Sequence, residues 1–156
     1  MSSRHRQVIG RRSVGTGVVI AVLTGLPVAG CRRMPAPDPA NELPFGVVDT
    51  PKNGDLVGRV VDVIGWAMDD SAVAVVHVYV DGKYQTAAPL TISRPDVSKA
   101  SPKYARIDSK DPDVHGWQAS VDLGEKAGAH TILVQAVDDR GATRDLGSVT
   151  VTVIGR

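Results

Sequence analysis

The sequence predicts an all-β sandwich, and three observations carry that prediction. From Phe45 onward apolar residues alternate with polar ones over short stretches, the period of a strand with one buried face. These stretches are separated by turn signals, among them Asn53-Gly54, Asp81-Gly82 and Asp139-Arg140-Gly141. Nowhere do apolar residues recur at the helical period with a cap at either end. A chain of 156 residues, 42% of them apolar, has material for one ordinary domain and its core, and not for two.

The first strand is FGVVDT, Phe45 to Thr50, closed by Pro51 and the Asn53-Gly54 turn. RVVDVIGWAM follows, with Val61, Val63, Gly65 and Ala67 on one face and Asp62 opening the other toward solvent. VAVVHVYVDG turns Val76, Val78 and Val80 inward and His77 and Tyr79 outward, and Asp81-Gly82 leads into a short strand from Tyr84 to Ala88. That last stretch carries little charge and ends at Pro89, so it is the expected free edge, able to dock a partner strand. Residues 89–115 are rich in Pro, Asp, Ser and Lys without sustained alternation, and read as a long loop of the kind that is functional or structurally pinned. GWQASVDL resumes the strand pattern with Trp117, Ala119, Val121 and Leu123. After a turn over Gly124 to Ala129, HTILVQAVDDRG brings Ile132, Val134 and Ala136 inward. RDLGSVTVTVIG lines one face with Val149, Val151 and Val153. The result is about seven strands, no helix and no internal repeat, hence one module.

These segments also carry a resemblance. DTPKNGDLVGRVVDVIGWAMDD, VVHVYVDG, SRPDVSKASPKY, Gly116-Trp117 and HTILVQAVDDRG, in that order, are similar to a bacterial immunoglobulin-like module that recurs in secreted and surface proteins. The resemblance runs from about Phe45 to Val153 and implies a single immunoglobulin-like β-sandwich, placed here at residues 45–156. It implies no fixed activity, since such modules serve as spacers, adhesive units or accessory domains beside enzymes, and function must be argued from a site.

The first 30 residues differ from the rest: they hold Arg4, Arg6, Arg11 and Arg12, no acidic residue, and then the apolar run Ser13 to Gly30 diluted by Gly15, Gly17, Gly25 and Pro27. A stable membrane span needs about 20 predominantly apolar residues, so residues 1–30 read as an export signal peptide. Val28-Ala29-Gly30-Cys31 resembles the lipobox of bacterial lipoproteins. That resemblance implies cleavage between Gly30 and Cys31, a diacylglyceryl group on the Cys31 thiol and acyl chains such as palmitate in the membrane. Two or three chains hold firmly where one does not, at about 0.8 kcal/mol per buried methylene. Arg11-Arg12 also resembles part of a twin-arginine signal, and the export route stays open.

Residues 31–44 follow, with Pro35, Pro37, Pro39 and Pro44; this density favours extended polyproline backbone and reads as a semi-rigid tether. The leader's four arginines account for the whole basic excess, because without them 14 basic side chains face 17 acidic ones, minus 3 in place of plus 1. No basic face remains to release phosphate counterions, so nucleic acid is excluded as a partner. Cys31 is the sole cysteine, and the sandwich must be held by its core without a disulfide.

Candidate binding residues are the aromatics Trp66, Tyr104 and Trp117, read either as a stacking surface for sugar rings or a partner, or as anchors of the 89–115 loop. Arg94 and Asp96 read as a fork-and-carboxylate pair that pins the start of that loop, with Pro95 restricting the backbone between them. Asp111, Asp113, His115, Gly116 and Asp122 fall at calcium-loop spacing, but an imidazole is a poor calcium ligand and Pro112 is misplaced. Asp69-Asp70 and Asp138-Asp139 lie at strand ends, where carboxylates either gather on a metal or satisfy turn backbones, the second being the commoner use. His77, His115 and His130 lack zinc-ligand spacing, and no nucleophile elbow is present. No metal or cofactor is therefore expected, nor an enzyme. The expectation is a lipid-anchored extracytoplasmic lipoprotein, in the cell membrane or the outer membrane, presenting its sandwich to a protein or envelope partner. The alternative is a carbohydrate-binding module using the aromatics of residues 89–117.

Overall fold

The computed structural model describes residues 39–105 and 111–155. The leader, Gly30, Cys31 and most of the proline-rich segment lie outside the described residues. Among those described, no helix is long and apolar enough to cross a membrane.

The described chain forms strands β1 (Phe45–Thr50), β2 (Leu56–Val57), β3 (Val60–Met68), β4 (Val73–Val80), β5 (Lys83–Ala88) and β6 (Leu90–Ser93), helices α1 (Pro95–Ala100) and α2 (Pro102–Ala105), and strands β7 (Val114–Asp122), β8 (Gly128–Asp138) and β9 (Thr143–Val153). They build two sheets, β1-β3-β7-β6 and β2-β9-β8-β4-β5. Every pairing is antiparallel except β2 with β9, which is parallel. With β1 and β2 as two halves of one broken first strand, this is the immunoglobulin order, A-B-E-D against G-F-C, with β5 added beside β4. The fold is therefore the expected all-β sandwich.

Two expectations are corrected. Residues 89–115 are not one loop: they hold β6 and both helices, and the expectation of no helix fails there. β6 has four residues directly after Pro89, and α1 and α2 have six and four, too few for either period to show. Pro95 and Pro102 open the two helices, a position where the missing N–H costs no hydrogen bond.

Between the sheets lie Val63, Ala67, Val76, Val78, Trp117, Ile132, Val134, Ala136 and Val151, all buried. Trp117 is the largest of them, fully enclosed, and pairs across the β3–β7 ladder with Gly65. A methyl group on Gly65 would stand 2.6 Å from Trp117 Cζ2 and collide with the Val47 carbonyl oxygen. Glycine at position 65 is thus what lets the indole lie against the neighbouring strand. At the start of β8, His130 ties the corner: Nε2 lies 2.9 Å from the Lys126 carbonyl oxygen and Nδ1 2.7 Å from Asp81 Oδ2. Antibody-type sandwiches use a tyrosine at this corner for the same backward bond to the chain.

Gly65→Ala is expected to lower stability by about 1–3 kcal/mol through overpacking, read as a fall in the urea midpoint at unchanged slope. An acceptor on each His130 nitrogen favours the doubly protonated ring. The Lys126 carbonyl first, and Asp81 second, hold its pKa above the ordinary value. A raised folded-state pKa contributes stability that is complete below the unfolded value of about 6.5 and is lost as pH rises through the folded one. The urea midpoint should therefore decline over that interval in the wild type, and His130→Gln should remove the decline.

Candidate functional site

The structure separates the aromatics that the sequence suggested for binding. Trp117 has no exposed surface and sits in the core, so it is corrected as a stacking residue. The strand pleat that turns it inward turns Trp66 outward. There Phe45 meets Trp66 edge-on at 6.0 Å between ring centroids and Tyr104 at 4.8 Å. Met68, Val97 and Ala105 close this second, smaller cluster, which seats the helices on the four-stranded sheet. Tyr104 is engaged at its hydroxyl as well, donating to Glu42 Oε2 at 2.7 Å, while Lys103 reaches Glu42 Oε1 at 2.9 Å and lies 4.6 Å above the Tyr104 ring. Lys103 and then Tyr104 hold the Glu42 carboxyl below its ordinary pKa. Trp66 and Tyr104 thus belong to one packed patch, and that patch fastens α2 and the entering chain.

Arg94 sits where the segment leaves β6. Its Nε and one terminal nitrogen donate to the two Asp96 oxygens at 3.0 and 2.8 Å, and the other terminal nitrogen donates to Asp49 Oδ2 at 2.6 Å. The guanidinium draws Asp96 down to about 2. Its backbone N–H donates to the Asp113 carbonyl at 2.6 Å, and its side-chain stem packs on Gly116, where a methyl group would stand 3.0 Å from Arg94 Cγ. One side chain thereby connects β1, α1 and the approach to β7.

The acidic turns are occupied by local bonds. Asp138 Oδ1 accepts the backbone N–H groups of Arg140 and Ala142, and its Oδ2 accepts from Asn41 at 2.6 Å. Asp69 Oδ2 accepts the N–H and hydroxyl of Ser71, whose hydroxyl also reaches Asp139 Oδ1. Burial pushes the Asp69 carboxyl up, Asp70 and Asp138 add to that, and Asp69 Oδ1 is buried without a hydrogen-bond partner among the described residues. Asp111 caps the N–H of Asp113, and His115 Nε2 meets the Pro112 carbonyl at 2.8 Å. Among the described residues no three His, Cys, Asp or Glu side chains are disposed to hold a metal ion.

A different surface gathers aromatic and polar side chains, on the outer face of the five-stranded sheet. His77, Tyr79 and Tyr84 form a triangle of rings with centroids 5.5–6.4 Å apart, each pair edge-to-face. Tyr84 is 55% exposed on β5, the edge strand. In register with His77 stand Gln135 on β8 and, beyond it, Asp145 on β9. Gln135 Nε2 donates to Asp145 Oδ1 at 3.0 Å. Sequence alternation placed His77 and Tyr79 outward. It could not bring Tyr84 beside them, because a register shift after Val78 decides that pairing.

The sandwich has two unlike poles. Asn41, Glu42 and buried Pro44 bring the chain in at the pole of Met68, Asp138 and α2. At the opposite pole an open groove of about 770 Å³ is lined by Gly58, Arg59, Gly124, Glu125, Val153 and Ile154. Its one guanidinium is already engaged, with Arg59 clasping Asp122 at 2.7 Å and Glu125 at 3.1 Å.

No protein-family model matches the chain, and no curated protein matches it. Among solved structures it is similar to fibronectin(III)-like modules of CbhA from Clostridium thermocellum, with 19% identity over 73% of this chain and a TM-score of 0.44. The match spans 47% of that structure, about half its length. CopC from Methylosinus trichosporium OB3b matches with 12% identity over 71% of this chain and 95% of its own, TM-score 0.37. A Niemann-Pick type C2 protein from the Japanese carpenter ant matches with 10% identity over 76% and 98%, TM-score 0.39.

The Asp69 geometry yields a test with a definite sign. A carboxyl with a raised folded-state pKa binds more protons in the native than in the unfolded chain, so stability falls as pH rises through the interval above the ordinary value of about 3.9. Asp69→Asn, which keeps an acceptor for Ser71 and removes the charge, should raise the urea midpoint at pH 7. The gain should close as pH falls into the carboxylate range.

Proposed function

We propose that this chain is a lipid-anchored extracytoplasmic protein whose immunoglobulin-like sandwich is a non-catalytic binding module. The observation that carries the reading is the ring triangle at the edge strand β5, in which exposed Tyr84 packs edge-to-face on half-buried His77 and Tyr79. Aromatic groups left at a surface in a cluster are the groups that dominate recognition energetics. The described ion pairs and acidic turns, by contrast, are engaged in holding segments together: Arg94 with Asp49 and Asp96, Arg59 with Asp122, Asp138 with its own turn.

The anchor rests on the sequence: the basic head, the apolar run and Val28-Ala29-Gly30-Cys31. A chain held at Cys31 reaches the module through the proline-rich tether and enters it at the Asn41–Pro44 pole. Radiolabelled palmitate should enter the wild-type chain expressed in bacteria and be absent from Cys31→Ala, with the variant moving from the membrane fraction to the soluble one. Label in Cys31→Ala overturns the anchor.

A further inference from the structure

We infer that the outer face of the five-stranded sheet is a binding platform for an uncharged glycan, with the rings of His77, Tyr79 and Tyr84 as its apolar half and Gln135 with Asp145 as its polar half. This deepens the binding-module reading and rests on it. A pyranose ring presents an apolar face of C–H bonds and a rim of hydroxyls, each both donor and acceptor. Its recognition asks for aromatic rings beside planar polar side chains that can donate and accept at fixed positions.

The sheet register supplies that pairing. The row Ala87, His77, Gln135, Asp145 crosses β5, β4, β8 and β9, and beside it runs the row Tyr84, Tyr79, Leu133, Ser148. Strands about 4.8 Å apart make each row roughly 14 Å long, enough for more than one sugar ring. The three rings brace one another edge-to-face, so little side-chain freedom is lost when a ligand settles on them. The Gln135–Asp145 bond fixes the amide in the same way, leaving its carbonyl and the second carboxylate oxygen for hydroxyl groups. Small, exposed Ala87 stands beside His77 at the end of that row. The Asp145 carboxylate selects against acidic sugars by like-charge repulsion.

The test uses the full-length chain in detergent, with cellohexaose, mannohexaose, chitohexaose and oligogalacturonate as titrants in calorimetry. At least one of the three neutral oligosaccharides should bind and oligogalacturonate should not. Tyr84→Ala and Gln135→Ala should each weaken binding about tenfold, the equivalent of about 1.4 kcal/mol. Both should leave the thermal midpoint close to wild type, and Val47→Ser on the opposite sheet should leave binding unchanged. No binding of any neutral sugar, preference for oligogalacturonate, or binding indifferent to Tyr84→Ala overturns the inference. If sugars fail while Tyr84→Ala still reduces retention of the chain on isolated envelopes of the producing cells, the glycan is overturned and the binding module stands. If that variant alters neither, both are overturned.

Discussion

The sandwich depends on one contact, the Trp117 indole lying against the backbone of Gly65. With no second cysteine to bridge the sheets, the central volume has to be filled by a single large side chain. A residue of that size fits only where the facing strand carries no side chain. This fixes glycine at position 65 and puts the two residues at the middle of the four-stranded sheet. It also decides the fate of the other tryptophan, because Gly65 faces inward opposite Trp117 and the pleat turns the next residue along β3, Trp66, outward. Trp66 therefore becomes the seat of the helices through Phe45 and Tyr104.

The two outer faces consequently differ. One sheet carries the segment from Pro95 to Ala105, held at its start by the three-way grip of Arg94 and near its end by Tyr104 and Lys103 on Glu42. The other presents rings directly, with Tyr84 more than half exposed. The pole that receives the chain is dense with carboxylates that accept from turn N–H groups, from Ser71 and from Asn41, while Asp69 Oδ1 finds no hydrogen-bond partner among the described residues. Its charge is thus tied into local geometry, and Asp69, the most enclosed of them, is pushed toward its protonated form.

Long strands were legible in the sequence because one buried face imposes a period of two over enough residues to be seen. Val76, Val78 and Val80 and Ile132, Val134 and Ala136 turned inward as read. β2 and β6 have two and four residues and offer no period, and α1 and α2 are too short to show a helical face. Arg94 and Asp96 were readable as a pair because they are two residues apart, whereas Asp49, the third member, comes from β1. The ring triangle escaped for the same reason. Tyr79 and Tyr84 meet through a hairpin with a register shift, and Gln135 and Asp145 come from strands far along the chain. For Trp117 the sequence left open a stacking surface or a buried anchor, and the structure buries it, as its size more often brings.

The clamped entry has a mechanical meaning. Among the described residues that lead in, Asn41 is held to Asp138 and Arg140, and Glu42 to Lys103 and Tyr104. A pull on the chain ahead of them loads those bonds and runs on along β1, whose ladder to β3 lies across the direction of force. Bonds arranged that way are strained together and not one after another as in a zip. Tension between an anchor at one end and a ligand held elsewhere on the module would thus meet its greatest resistance at the strand that leads in.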